Sequence, residues 1–390
     1  MYQYKNCIIC HKKGNIQCNQ CEHLAFFCSK EHLFLHNQQY HKIKNQQRQH
    51  KKEINNDIRK EIMIQMSNQD YSNAIETITN YLNLLKQQNV YNQNDNPITI
   101  ELLYTLAECH LNLSNLEKSK NILNEIVALT NDIVNMNNNT SYNYIIEKII
   151  FRQKANMLLG AISLNLGEYN NSLKAYFSCE NDLPKICKEP ELNVKLSSVF
   201  LNIGLCYIYL GNKNIAEKYL KKALSQTEGI LGNDVIHKLN ADIFENLGVV
   251  YELMNRYKDS LVFYKKSLKL KFNLYGEAHD EVLELQYKIS ESYLSLKQFE
   301  QAEEILGSIV ELILKQKMNK ANKETIYRYS TYFYTYGVVL IKLNRFNNAK
   351  IYFNKVLDIV DGFDGFLLPN DPWIININDL IKICEPKKIK

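Results

Sequence analysis

The residues best equipped for chemistry are crowded at the start of the chain. Five of its ten cysteines, Cys7, Cys10, Cys18, Cys21 and Cys28, fall within the first 28 residues, and His32, His36, His41 and His50 follow them. Cys7-x2-Cys10 and Cys18-x2-Cys21 form two knuckles separated by seven residues. Each knuckle turns two thiolates toward one ion, and tetrahedral zinc then takes two more ligands from farther along. Cys28 and His32 are one such pair, since residues four apart share a helix face; His36 and His41 are a candidate for the other. The segment is too short to bury a core of its own, so metal would supply its folding energy. Paired knuckles describe closed coordination, whereas zinc hydrolysis needs an open position and a general base.

The same residues carry a family likeness. Phe27-Cys28-Ser29-Lys30-Glu31-His32 and the later His41-Lys42 resemble the MYND finger, a two-zinc, cross-braced module, with His32 standing where the family has a cysteine. The resemblance implies a first zinc on Cys7, Cys10, Cys28 and His32, and a second on Cys18, Cys21, His41 and His36. His36 enters because the family's last cysteine position is Asn45 here. MYND fingers bind proteins, some of them gripping proline-rich peptides with a Gln and a Trp. Leu33 takes the Gln position and no Trp is near, so the likeness implies a docking module more than a peptide reader. His11 and His23, beside the knuckles, are expected to be bystanders.

Other catalytic signatures are missing from the sequence. No Gly-x4-Gly-Lys-Ser/Thr phosphate loop, no Gly-x-Gly-x2-Gly and no Gly-x-Ser-x-Gly elbow occurs. Cys109, Cys179, Cys187, Cys206 and Cys384 are scattered and read as small apolar fillers. The SET domain that surrounds the finger in methyltransferases has no room here, and the expectation is a protein that is not an enzyme. The net charge of +5 is local: Lys42, Lys44, Arg48, Lys51, Lys52, Arg59 and Lys60 stand against Glu53 and Asp57, and seven minus two is five. With no basic stripe beyond that segment, nucleic acid is not an expected partner. No run of about 18 apolar residues suggests a membrane span, and the polar start of the chain suggests no leader. A reducing, cytoplasmic location is therefore expected, where clustered cysteines hold metal.

What would carry this module is written in the rest of the chain. Only 6 Pro and 13 Gly occur among 390 residues, too few for a turn-rich β architecture. From about residue 57 a pattern recurs: a small residue, then an aromatic, then a second small residue. Asn246-Leu247-Gly248-x2-Tyr251 with Tyr257 and Ser260 is the clearest copy. Others centre on Gly160, Gly204, Ser290 and Gly337, with Ser172, Ala216, Ala302 and Ala349 as second small residues; degenerate copies lie near Ile62 and Ala107. Small residues let paired helices approach, and large ones three or four positions away fill the space between.

This pattern resembles the tetratricopeptide repeat over roughly residues 57 to 360. Gly204 to Gly248 spans 44 residues and Gly248 to Ser290 spans 42, both longer than the usual repeat of about 34. Leu274-Tyr275-Gly276-Glu277-Ala278-His279 resembles the connector of kinesin-light-chain repeats. After residue 361 a turn cluster with Pro369 and Pro372 ends the pattern, and Trp373 to Ile383 is expected to cap it. In such arrays the residue just before the Leu-Gly pair faces the concave groove. Asn202, Asn246 and Lys288 hold that position, and an Asn amide both donates and accepts. Ser198, Asp242 and Glu284 stand four residues earlier, where a carboxylate clamp would need bases, so an acidic chaperone tail is not expected.

The fold class expected is all-α: a tetratricopeptide-repeat solenoid with a small N-terminal two-zinc MYND-type finger. The finger would occupy 1–45, a basic linker or linker helix 46–60, about seven helical hairpins 61–360, and a cap 361–390. That order of parts resembles the axonemal MYND-finger repeat proteins found with inner-arm dynein d. The resemblance implies a non-catalytic scaffold of the ciliary axoneme, holding a dynein heavy chain and a second tetratricopeptide protein. The rival expectation is a cytosolic adaptor of kinesin-light-chain type, binding linear peptides in the groove.

Overall fold

The computed structural model describes residues 16–17, 26–27, 56–87, 97–131, 142–188, 191–231, 238–315, 323–361 and 371–385. The chain forms two compact units, Met1–Asn131 and Asp132–Lys390. In the first, strands β1 (Ile16–Gln17) and β2 (Phe26–Phe27) pair antiparallel, with Ile16 opposite Phe27. The same unit holds helices α1 (56–67), α2 (Tyr71–Gln87), α3 (Pro97–Asn112) and α4 (Leu116–Asn131). The second unit holds α5 (Tyr142–Asn165), α6 (Tyr169–Ile186), α7 (Glu191–Tyr209), α8 (Lys213–Leu231), α9 (Lys238–Leu253) and α10 (Tyr257–Tyr275). It continues with α11 (Asp280–Ser295), α12 (Phe299–Lys315), α13 (Lys323–Lys342), α14 (Phe346–Asp361) and α15 (Pro372–Ile383).

Consecutive helices pair as hairpins: α1 with α2, α3 with α4, and so on to α13 with α14. They are numbered 1 to 7 below; hairpins 1 and 2 lie in the first unit and 3 to 7 in the second. In the second unit each hairpin packs on the next through α6 on α7, α8 on α9, α10 on α11 and α12 on α13. α15 lies against α14 and buries Ile377 in the core shared by hairpins 6 and 7. α1 runs across the expected boundary at residue 60, and Arg59, from the basic segment, is ion-paired with Glu101 on α3.

The hairpins share one register, counted from the small residue of the leading helix and, in hairpin 1, from Ile62 at the same position. Seven residues on, each chain turn holds a residue in the left-handed region: Gln69, Ser114, Gly167, Gly211, Asn255, Lys297 and Asn344, with φ between 59° and 76°. The following N–H then reaches back five residues to a helix carbonyl, as in Asn212 to Tyr207 at 2.8 Å and Arg256 to Tyr251 at 2.8 Å. That is the Schellman closure, which satisfies carbonyls the ending helix leaves open. Twelve residues on stand Ala74, Ser119, Ser172, Ala216, Ser260, Ala302 and Ala349, all fully buried. The Ser119 and Ser172 hydroxyls donate to the Ala107 and Gly160 carbonyls, both at 2.8 Å, tying the trailing helix to the leading one.

Sixteen residues on, a large side chain lies over the small one. A Cβ added at Gly160 would stand 2.6 Å from the Tyr176 ring, at Gly248 2.3 Å from that of Tyr264, and at Gly337 2.7 Å from that of Phe353. Glycine is therefore needed where an aromatic crosses. Ala107 and Ser290 carry a Cβ opposite Leu123 and Leu306, flexible aliphatic side chains of the kind that stands opposite Gly204, where Leu220 lies 2.8 Å from an added Cβ. Among the described residues one helix, Glu191–Tyr209, is long and apolar enough to cross a membrane by length and composition. It is α7, whose Val199, Phe200, Ile203 and Cys206 are buried in the core of hairpins 3 to 5.

Candidate partner-binding face

All eight residues expected to hold zinc, Cys7, Cys10, Cys18, Cys21, Cys28, His32, His36 and His41, lie outside the described residues. Among the described residues no group of three or more His, Cys, Asp or Glu could hold a metal ion. Of the scattered cysteines, Cys109, Cys179, Cys206 and Cys384 are buried. Burial pushes the Cys109 thiol up to about 11 and the Cys179 thiol up to about 12, so both are protonated at neutral pH. Cys187 is half-buried, with the Lys195 ammonium 3.5 Å from its sulfur.

The three groove candidates sit at one register position, two residues before Gly204, Gly248 and Ser290. All are half-buried on leading helices. The Asn202 amide donates to the Ser198 carbonyl at 3.0 Å and that of Asn246 to the Asp242 carbonyl at 2.8 Å, so each is anchored to its own helix. Lys288 is drawn across to the preceding hairpin: its Nζ lies 2.6 Å from Glu245 Oε1 and 3.1 Å from Glu284 Oε1. The fold thus brings Lys288 to the helix that carries Asn246, while Asn202 belongs to the hairpin before.

Behind Lys288 lies a residue that sequence reasoning missed. Lys271, on α10, is 5% exposed. Its Nζ lies 2.6 Å from Glu245 Oε2, 2.9 Å from Glu281 Oε2 and 3.9 Å from Asp242 Oδ1. Glu245 is therefore held by two lysines. Burial works against its charge, but Lys288 and the Lys271 hydrogen bond outweigh it and hold the carboxyl below its ordinary value. For Lys271 burial again opposes the charge, and bonds to Glu245 and Glu281 raise its pKa nonetheless. Asp242, farther from either lysine, goes the other way: burial raises it more than Lys271 and Lys238 lower it. The signal was in the register. Twenty-three residues after Ile62 and after each small residue stand Leu85, Thr130, Leu183, Thr227, Lys271, Ile313 and Val360. Six of these are uncharged core positions, and one is a lysine.

The face so built carries fixed amides, ion pairs and tyrosine hydroxyls, including Tyr287, whose oxygen lies 3.1 Å from Thr335 Oγ1. Its polar side chains are cross-linked to one another or bonded to their own helices. Comparison with known proteins agrees with this architecture. Residues 195–271 and 239–314 match one tetratricopeptide-repeat family pattern, and residues 330–359 match a second. A relative, the clustered mitochondria protein homolog of Candida albicans, is 24% identical over 228 residues, 58% of this chain. The chain spans 15% of that relative's length, so the likeness is to a part of it. The crystal structure of BtubC (BKLC) from P. vanneervenii superposes with a TM-score of 0.52 at 16% identity, over 65% of this chain and 94% of that one. A tetratricopeptide repeat protein from Parabacteroides merdae covers 85% of this chain and 98% of its own length, with a TM-score of 0.47 and 13% identity. The helical body is an all-α tetratricopeptide-repeat solenoid. Repeats of this kind suggest a non-catalytic protein-interaction scaffold, with proteins as its partners.

Proposed function

We propose that this protein is a non-catalytic scaffold of the ciliary axoneme that helps tether an inner-arm dynein to doublet microtubules. The observation that carries this reading is the order of parts: a two-knuckle cysteine and histidine cluster, a basic segment, then tetratricopeptide repeats to residue 361. The partner side would be the leading-helix face around Asn202, Asn246 and Lys288, with a dynein heavy chain and a second tetratricopeptide protein as the partners. The finger would add a docking knob folded around two zinc ions. Salt extraction of axonemes tests the placement: the protein should leave the doublets together with an inner-arm dynein, and separate extraction would sink it. Metal analysis of the purified chain should give two zinc per molecule, and a ratio of one would remove His36 from the ligand set.

A second reading, a cytosolic adaptor of kinesin-light-chain type, is favoured by the repeat spacing and by the joint before α11. There Gly276 turns at φ 83°, His279 stacks on Tyr275 with ring centres 4.5 Å apart, and its Nδ1 accepts the Glu281 N–H at 3.2 Å. The two readings separate on Asn246→Ala. An adaptor gripping one linear peptide should lose at least tenfold in affinity. A scaffold with broad contacts should change less than threefold, because most interface residues contribute little alone.

A further inference from the structure

The second unit's buried apolar side chains fall into two large clusters. One joins hairpins 3 to 5, from Leu173 to Tyr251; the other joins hairpins 6 and 7 with α15, from Leu283 to Cys384. Between them, across the joint of hairpins 5 and 6, lies a small cluster of four buried residues: Leu261, Tyr264, Leu285 and Ile289. The ion network occupies this same joint. Lys271 comes from α10, Glu245 and Asp242 from α9, and Glu281, Glu284 and Lys288 from α11. We infer that hairpins 5 and 6 meet at an ion-held hinge, pinned across the joint by Lys271 on Glu281 and by Lys288 on Glu245, which sets the angle of the leading-helix face at its centre.

The physical argument is one of directionality. Apolar packing tolerates small rotations, since its energy follows area. An ammonium fixed between carboxylates on two different hairpins does not, because its bonds weaken steeply with distance and angle. In a repeat array each unit is held only by its neighbours, so one joint can open while the blocks on either side stay intact. Glu284 remains nearly half-exposed beside Lys288. A charged side chain entering the face there would compete for the same bonds and so bear on the angle. The hinge itself does not depend on which partner binds.

Hydrogen exchange of the full-length chain, read by mass spectrometry, tests this. Lys271→Met and Glu245→Gln should each speed exchange at least tenfold in α10 and α11, with α6 to α8 and α13 to α15 within twofold of wild type. The double variant Glu245→Leu/Lys271→Ile converts both positions to the apolar residue types found at the same register as Leu201 and Ile313. It should recover thermal stability relative to the singles, since apolar replacement of a whole buried pair is tolerated where loss of one partner is not. Exchange in α10 and α11 should stay at least tenfold faster than wild type, because neither pinning bond then crosses the joint. If the single variants do not fold, exchange in the folded double variant decides: fast α10 and α11 beside unchanged α6 to α8 support the hinge. Unchanged exchange in α10 and α11, equal acceleration in every hairpin, or wild-type protection of α10 and α11 in the double variant would overturn the inference.

Discussion

At Gly248 the space for a side chain is already taken, since an added Cβ would stand 2.3 Å from the Tyr264 ring. Tyr264 is fully buried, and its hydroxyl is fixed on Glu252 Oε2 at 2.6 Å, so the ring has nowhere to move. Gly248→Ala should therefore cost about 2–3 kcal/mol by overpacking. Gly204→Ala should cost less, because its obstacle is the flexible Leu220 side chain at 2.8 Å. Combining Gly248→Ala with Tyr264→Leu recreates the residue types of Ala107 and Leu123 and should recover part of the loss; chemical denaturation of the three variants measures it. Lys297 presents the opposite case. It holds φ 59° in its turn, where hairpins 3 and 4 have Gly167 and Gly211. Lys297→Gly should stabilise by about 0.5–1 kcal/mol, the relief of left-handed strain exceeding the backbone entropy of glycine.

At the scale of elements, the joint between hairpins 5 and 6 has a pH signature whose sign follows from its charges. Glu245 is held below its ordinary value, so its contribution is present at neutral pH and lost as acid protonates it. Asp242, raised by burial, opposes this, because protonating it favours the folded state. Lys271 and Lys288 are both raised against burial by their carboxylates, so their contribution persists through neutral pH and fades only in strong alkali. Thermal midpoints should accordingly fall below the ordinary glutamate range. In Glu245→Gln the midpoint should be lower at neutral pH and its fall in acid shallower. An acid limb as steep in the variant as in wild type would remove Glu245 from the account.

For the whole molecule, the end of the array matters as much as any joint. α15 starts cleanly: Asp371 caps it by accepting the Trp373 N–H at 2.8 Å, and Pro372 opens its first turn. Its Ile377 is fully buried, Cys384 is 4% exposed, and Trp373, Leu380 and Ile381 pack on the same core. Removing residues 371–390 should expose that core and cost about 2–4 kcal/mol, the size of uncovering one or two large apolar side chains. The loss should register first as faster hydrogen exchange in α13 and α14.

Much of the repeat was legible in the sequence, because small residues at a fixed interval from large ones record how closely two helices approach. Gly160, Gly204, Gly248, Ser290 and Gly337, with their partners twelve residues on, mark the hairpins without any coordinates. The likeness of the N-terminal cysteines and histidines to a finger rests on types and spacing alone, since those residues lie outside the described ones. What no spacing could state is which charges from different helices share one place. Asn246 stands out in the sequence by its place two residues before Gly248, and the fold ties its amide to its own helix. Lys271, 26 residues after Glu245, was invisible as a partner until α9, α10 and α11 packed together and left its ammonium nowhere but among carboxylates. Periodicity is a property of one helix at a time; the meeting of charges belongs to three helices at once, and only tertiary packing decides it.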